Sequence, residues 1–137
     1  MFLERFMLSK NKIKYIRSLE LKKNRKEDGV FVAEGHKLVG DLLGHFHCRM
    51  LVATADWLAS NKDAVADEII EASYEELSRA SLLKTPQDVL AVFNQPLSDY
   101  SLEDIKYSLC IALDDVQDPG NLGTIIRLAD WFGIEHI

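Results

Sequence analysis

A short stretch near the end of the 137-residue sequence combines residue types that could hold a negatively charged ligand. The segment DPGNLGTIIR, residues 118–127, joins a tight-turn sequence to Asn121, Gly123 and Arg127. Asparagine favours the position that caps a helix, and an arginine one turn after a glycine lies on the same helix face. Such an arginine can bind a phosphate through two parallel hydrogen bonds. Asn121 and Arg127 are therefore candidates for binding a phosphate; a capped helix with an ordinary surface arginine is the alternative.

The sequence gives little support to a nucleotide-binding loop or a metal site. The glycines at positions 120 and 123 do not form G-x-G-x-x-G, and no G-x-x-x-x-G-K-[ST] stretch is present. The histidine cluster GHFHC lacks the second ligand pair of a zinc site. Acidic residues before a helix are explained by the helix dipole. We therefore predict no metal at His45, His47 and Cys48, or at Asp114, Asp115 and Asp118.

The first 26 residues carry a strong positive charge. Nine lysines or arginines against two glutamates give this segment +7, which leaves −13 for the other 111 residues of a chain whose net charge is −6. A basic segment on an acidic body is a common layout in proteins that bind nucleic acid. A solvated helix face is the alternative. The predicted RNA-binding residues are Lys10, Lys12, Lys14, Arg17, Lys22, Lys23, Arg25 and Lys26.

The elements that must position these residues alternate between helix and strand. Ser9 is the expected cap of a basic helix that ends near residues 23–26. Asp56 is the expected cap of a later helix, and Ser73 with Glu76 forms a capping box for the one after it. Apolar runs predict strands at residues 30–35, 48–54, 68–73 and 89–93. This alternation predicts an α/β domain in which helices cover a parallel or mixed sheet.

A second unit follows this domain. Residues 94–107 are polar and acidic and are predicted to form a linker. An apolar run at 108–113 predicts a strand, and a helix is expected from about Asn121 to Phe132. We therefore divide the sequence into residues 1–93, 94–107 and 108–137. A single strand and helix cannot bury their own sheet, so we expect the last part to be the beginning of a larger domain.

The stretch LDDVQDPGNLGTIIRLADWFG, residues 113–133, resembles the first signature motif of the SpoU (TrmH-type) RNA ribose 2′-O-methyltransferases of the SPOUT superfamily. That motif is D-P-x-N-x-G-x-x-x-R followed by a small residue, an aromatic residue and glycine, and each element is present. The upstream segments FVAEG, SYEELSRAS and TPQDVLAVF, with the basic cluster before them, resemble the family's N-terminal substrate-binding domain.

The resemblance implies a fold, an activity and a substrate. The fold is a small α/β/α sandwich of the ribosomal-protein type, followed by the first βα unit of a knotted SPOUT methyltransferase domain. The activity is methyl transfer from S-adenosylmethionine to a ribose 2′-hydroxyl of RNA, with ribosomal RNA expected. Asn121 and Arg127 would lie at the catalytic centre. Because the pKa of arginine is far above neutral, we expect Arg127 to support phosphate and alkoxide charge rather than to act as a base.

Several expectations follow from what the sequence does not contain. The family's second and third motifs, which build the knot, the methyl-donor site and the usual dimer interface, are absent. We therefore assign no cofactor-binding residues, predict that this chain alone is inactive, and expect a homodimer only for the full-length protein. A non-enzymatic RNA-binding protein is the alternative. Cys48 and Cys110 lie in apolar runs and are expected to be buried, reduced thiols of a cytoplasmic protein without a membrane segment.

Overall fold

The computed structural model describes residues 6–97 and 102–137. The chain divides into two compact units, with the boundary between Pro96 and Leu97. The predicted division into 1–93, 94–107 and 108–137 stays a prediction, because residues 98–101 of the proposed linker lie outside the described residues. None of the helices in the described ranges is long and apolar enough to cross a membrane.

The first unit is built on a mixed five-stranded sheet. Its strands are β1 (Phe6–Met7), β2 (Val30–Glu34), β3 (Cys48–Ala53), β4 (Glu68–Glu71) and β5 (Val89–Asn94), in the order β1-β4-β3-β5-β2. β4 pairs in parallel with β1 and β3, whereas β5 is antiparallel to both β3 and β2. The four strands predicted from apolar runs are all present; β1 was not predicted.

Helices cover both faces of this sheet. They are α1 (Lys10–Ser18), α2 (Lys22–Asp28), α3 (His36–Leu42), α4 (Ala55–Ser60) and α5 (Tyr74–Ala80). Ile16 of α1 and Leu77 of α5 pack on one side of the sheet, against a cluster that includes Val52. Val39 of α3 and Trp57 of α4 pack on the other side. The predicted α/β/α sandwich is therefore confirmed.

The basic segment forms two helices rather than the single helix that was predicted. α1 ends at Ser18, where the buried Leu19 donates its backbone N–H to carbonyls of the last turn, and α2 begins after the extended Leu21. Gly29 ends α2 in the left-handed conformation, with φ of 63°. α2 contains no buried residue. The apolar period that predicted the helix stops at Leu19, so the pattern does not predict the direction of the chain beyond it.

Helix caps were predicted with mixed success. The Ser9 hydroxyl accepts a hydrogen bond from the Lys12 amide at the start of α1. The capping box at the start of α5, formed by Ser73 and Glu76, is also confirmed. Asp56 was wrong as a cap, because the Thr54 hydroxyl takes that position and Asp56 lies in the first turn of α4.

The second unit holds α6 (Leu102–Ile105) and α7 (Pro119–Trp131). The helix predicted from Asn121 to Phe132 is present as α7. The strand predicted at 108–113 is wrong: in the described part of the chain this segment makes one isolated parallel bridge, between Cys110 and His136. A strand is stabilised by partners along its length, and one bridge does not provide them. Cys110 is consequently exposed rather than buried, whereas Cys48 is buried as expected.

Candidate functional site

Three of the predicted RNA-binding side chains contact parts of the protein outside their own helix. Lys12 forms an ion pair with Glu68, which lies on β4. Arg17 donates from Nη1 to the backbone carbonyl of Ser81. Arg25 donates from Nη1 to the carbonyls of residues 19 and 20, both at 2.7 Å, and so holds the turn that joins α1 to α2. These contacts give the three side chains a role in folding that the charge pattern did not indicate.

The other five predicted RNA-binding side chains are exposed. Lys10 and Lys14 lie one turn apart on α1, and Lys22 and Lys26 lie one turn apart on α2. We call these four residues the lysine surface. Lys23 is also exposed, 3.8 Å from Glu27 in an i,i+4 pair, an arrangement that contributes little to stability. The four charges of the lysine surface are therefore accessible to a ligand.

The start of α7 differs in one respect from the sequence-based expectation. Asp118, not Asn121, precedes the helix as its cap. The Oδ2 atom of Asp118 accepts a hydrogen bond from the backbone N–H of Asn121 at 2.7 Å. Pro119 follows at the first helical position, where its missing N–H has no cost. The exposed side chain of Asn121 thus does not cap the helix, and its carboxamide group is available to a ligand.

Arg127 lies on the outer side of α7. Ala129 is the buried residue of this helix, at 1% exposure, whereas Arg127 is exposed. One turn earlier, a Cβ added at Gly123 would meet no atom within 4 Å, so the space beside the helix is open there. Asn121 and Arg127 are six residues apart in the sequence, which on one α-helix corresponds to roughly 9 Å along the axis and roughly 120° around it. Helix α7 alone does not bring the two predicted catalytic side chains together.

The fold is shared with known RNA methyltransferases. A structure of an RNA methyltransferase assigned to the TrmH family, from Porphyromonas gingivalis, superposes with a TM-score of 0.75 at 42% identity over 94% of this chain and 51% of that chain. An AdoMet-bound rRNA methyltransferase from Sinorhizobium meliloti superposes with a TM-score of 0.66 at 36% identity, over 93% of this chain and 51% of that one. The sandwich and α7 therefore represent the SpoU/TrmH fold over about half its length, and the predicted fold class is confirmed.

Sequence comparison gives the family. A family model described as the MRM3-like substrate binding domain matches residues 10–91, and the chain belongs to that family. Among curated proteins, 23S rRNA (guanosine(2553)-2′-O)-methyltransferase RlmP of Bacillus subtilis is 32% identical over 127 residues, which cover 92% of this chain and 50% of that protein. The chain spans about half the length of these relatives. The resemblance to the SpoU/TrmH family is confirmed.

Proposed function

We propose that this chain is the substrate-binding part of an rRNA 2′-O-methyltransferase, together with the first helix of its catalytic domain. The observation that carries the proposal is the position of the signature motif. The motif opens α7, and an MRM3-like substrate-binding domain precedes it in the same chain. The Bacillus relative is named for 2′-O-methylation of a guanosine in 23S rRNA. A ribosomal RNA ribose is accordingly the proposed methyl acceptor.

S-adenosylmethionine is the proposed methyl donor, since the Sinorhizobium relative is an AdoMet-bound structure. The described residues do not fit this molecule. The second unit has a cavity of about 410 Å³, but it lies at the Cys110–His136 bridge and is lined by neither Asn121 nor Arg127. We assign no donor-binding residue in this chain, and we expect no methyl transfer from the chain by itself.

The proposed role of Arg127 follows from its chemistry and its exposure. A guanidinium keeps its charge at any relevant pH and cannot accept the proton of a ribose hydroxyl. It can hold an RNA phosphate in a fixed two-donor geometry and stabilise the charge that develops on the attacking oxygen. The Asn121 amide, which can both donate and accept, would hold a neighbouring polar group of the RNA.

The proposed role of the first unit is to bind and orient the RNA. The lysine surface supplies charge that can neutralise phosphates, and each neutralised phosphate releases condensed counterions. Lys12, Arg17 and Arg25 contribute to this surface mainly by holding α1 and α2 in place. A non-enzymatic RNA-binding protein could use the lysine surface and these supporting contacts in the same way. RNA affinity alone therefore does not test the catalytic part of the proposal.

Two measurements test the proposal. The first is binding of this chain to a transcript of the 23S rRNA segment around guanosine 2553, the nucleotide named for the Bacillus relative. The second is transfer of labelled methyl groups from S-adenosylmethionine to the same transcript by the whole protein, with mapping of the modified ribose. Binding and 2′-O-methylation together support the proposal. Binding without any transfer by the whole protein favours the non-enzymatic alternative.

The cellular location and the oligomeric state belong to the same proposal. We propose a cytoplasmic protein that forms a homodimer at full length. Sedimentation of the whole protein at several concentrations measures the second point. A monomer at all concentrations would contradict the expected dimer.

A further inference from the structure

The end of β5, where the chain leaves the first unit, is held by a polar network that the proposed function does not use. Asn94 is the last residue of β5, and its backbone N–H donates to the His47 carbonyl at 2.9 Å. Gln95 follows, and its backbone N–H and its side-chain amide donate to the carbonyls of Gly29 and Val30 at 2.8 and 3.0 Å. The residues that lead towards the second unit are therefore fixed to the beginning of β2 and to the residue that precedes β3.

The side chain of His47 lies between two partners of different kinds. Its Nε2 lies 2.7 Å from Oδ1 of Asp67, and its Nδ1 lies 3.0 Å from Nδ2 of Asn94. Asp67 is held in turn by its backbone N–H, which donates to the Cys48 carbonyl at 3.0 Å. The side chains of His47 and Asp67 are 57% and 60% exposed, so the contact between them contributes little to the stability of the unit.

Arg49, on β3, determines which way the carboxamide of Asn94 points. Its Nε donates to Oδ1 of Asn94 at 2.5 Å, and its Nη2 donates to the Asp28 carbonyl at 3.1 Å. A guanidinium has only donors, so the oxygen of Asn94 faces Arg49 and its NH₂ group faces His47. Nδ1 of His47 is consequently the acceptor of a hydrogen bond from Asn94. The ring proton lies on Nε2, which donates to Asp67.

This arrangement suits a neutral imidazole and conflicts with a protonated one. A second proton on the ring converts Nδ1 of His47 from an acceptor to a donor. Two donors then face each other, and the carboxamide of Asn94 cannot turn round without losing its hydrogen bond from Arg49. The contact on the other side of the ring behaves differently, because the Asp67 carboxylate attracts the charged ring. Protonation therefore keeps His47 at Asp67 and breaks its contact with Asn94.

Other titratable groups lie around this network. Burial raises the pKa of the Cys48 thiol to about 12. Burial, followed by a hydrogen bond with Asp28, raises the pKa of Tyr15. Both groups therefore stay neutral in the range, from about pH 5 to pH 8, in which histidine side chains change their charge. His45 is a second histidine of the same loop, and it lines the same cavity of about 390 Å³ as His47.

We propose that His47 is a proton-controlled contact, which holds the Asn94 side chain when the ring is neutral and releases it when the ring is protonated. This inference does not depend on the proposed function. Asn94 is the last residue of the sheet before the boundary between the two units, which lies after Pro96. Acidification should therefore loosen the beginning of the connecting segment while the sheet itself stays folded.

The first experiment determines the protonation of the ring. Nitrogen NMR of the chain, labelled at histidine, is recorded between about pH 8 and pH 5, where histidines titrate. The His47 signals are identified by their absence from a His47→Asn variant. At the upper end of the range we expect the neutral ring to carry its proton on Nε2. A neutral ring with its proton on Nδ1 would overturn the proposal.

The second experiment measures hydrogen exchange of the backbone amides of Asn94 and Gln95, with each rate divided by its intrinsic rate at the same pH. Protonation of His47 removes one hydrogen bond that supports these amides, so their protection should fall by roughly twofold to tenfold. The amides of the central strand β3 should keep their protection, which shows that the sheet remains folded.

Two substitutions of His47 represent its two protonation states. His47→Asn places an amide oxygen where Nδ1 stands and cannot titrate, so the protection of Asn94 and Gln95 should stay high at both ends of the pH range. His47→Lys keeps a positive charge for Asp67 but offers no acceptor, so the protection should stay low at both ends. His45→Asn is the matched control, because it removes an exposed histidine of the same loop and should leave the full pH response.

Arg49→Met tests the cause of the conflict. Without the guanidinium, the carboxamide of Asn94 can turn round and present its oxygen to the protonated ring of His47. The difference in protection between the two ends of the pH range should then disappear. The variant also loses the hydrogen bond to the Asp28 carbonyl, so lower protection at both ends is expected, and the difference between them decides.

The outcomes are distinct from those that test RNA binding. A pH response in the unmodified chain and in His45→Asn, but not in His47→Asn or Arg49→Met, supports the proposal. No response in the unmodified chain, or a response that persists in His47→Asn, overturns it. A response that persists in Arg49→Met overturns the donor conflict on which the proposal rests. None of these results depends on whether the chain binds RNA, so the proposed function stands or fails separately.

Discussion

Replacing Arg25 by alanine separates the two roles that a basic residue of this segment can have. The sequence predicts an RNA contact, whereas the structure shows Nη1 bonded to two backbone carbonyls of the turn between α1 and α2. One of these bonds is partly buried and the other is exposed, so we expect Arg25→Ala to cost about 1 to 2 kcal/mol of the unfolding free energy. For a unit of this size, that corresponds to a fall in Tm of roughly 4 to 16 °C. Arg25→Lys should recover part of it, because a single nitrogen makes both bonds and the lysine ammonium also carries several N–H donors on one nitrogen.

The matched variant is Lys22→Ala combined with Lys26→Ala, on the exposed side of α2. These changes should alter stability by no more than roughly 0.5 kcal/mol. They should also make RNA binding less sensitive to salt. The slope of the logarithm of the RNA-binding constant against the logarithm of the salt concentration should fall by the amount expected for roughly two phosphate contacts. Arg25→Ala should leave that slope nearly unchanged.

The assay uses Trp57, which is buried in the first unit, as the fluorescent reporter of urea unfolding. Trp131 of the second unit is replaced by phenylalanine in all variants, so that a single tryptophan reports. RNA affinity is measured in parallel over a series of salt concentrations. If Arg25→Ala leaves the unfolding free energy unchanged but reduces the salt dependence of RNA binding, the structural role is refuted. Arg25 would then be an RNA-contacting residue, as the sequence predicted.

Three further predictions concern other parts of the chain. In the whole protein, Arg127→Ala should lower methyl transfer by ~10² to 10³, as expected when one preorganised charge is lost; Arg127→Lys should not restore it, and both variants should unfold at nearly the unmodified temperature. An alkylating reagent should modify Cys110 at once and Cys48 only after unfolding, since Cys48 is 2% exposed. Burial raises the pKa of the Cys48 thiol from 9.0 to about 12. The contribution of the buried thiol to stability is therefore complete below pH 9 and is lost as the pH rises towards 12. In urea titrations, Cys48→Ala should lose less of its unfolding free energy at alkaline pH than the unmodified chain. Ser73→Ala removes the capping box of α5 and should cost about 1 kcal/mol in the same titrations; no change would mean that the box is not needed for this helix.

The sequence predicted those features whose causes are local. Alternating apolar runs gave β2 to β5, and the Ser73–Glu76 spacing gave the start of α5, because both depend on residues close together in the chain. The break after Leu19 and the roles of Arg17 and Arg25 depend on partners that folding brings near. Ser81 is 64 residues from Arg17, and no local pattern marks that pair.

The candidate site shows the same limit. The motif located α7, but it assigned the cap to Asn121. Both aspartate and asparagine favour that position, and the choice depends on where the chain turns at Pro119. The predicted strand at 108–113 failed because apolar composition marks a segment that can be buried, whereas a strand also needs a neighbour along its length.

The cap at Asp118 has a consequence for how this region tolerates change. Because the start of α7 is set by the Asp118 carboxylate and the ring of Pro119, position 121 can be altered without unwinding the helix. The start of this helix therefore does not require an amide side chain at position 121. Any selection that keeps an asparagine at this position must act through a group that its side chain touches outside the helix.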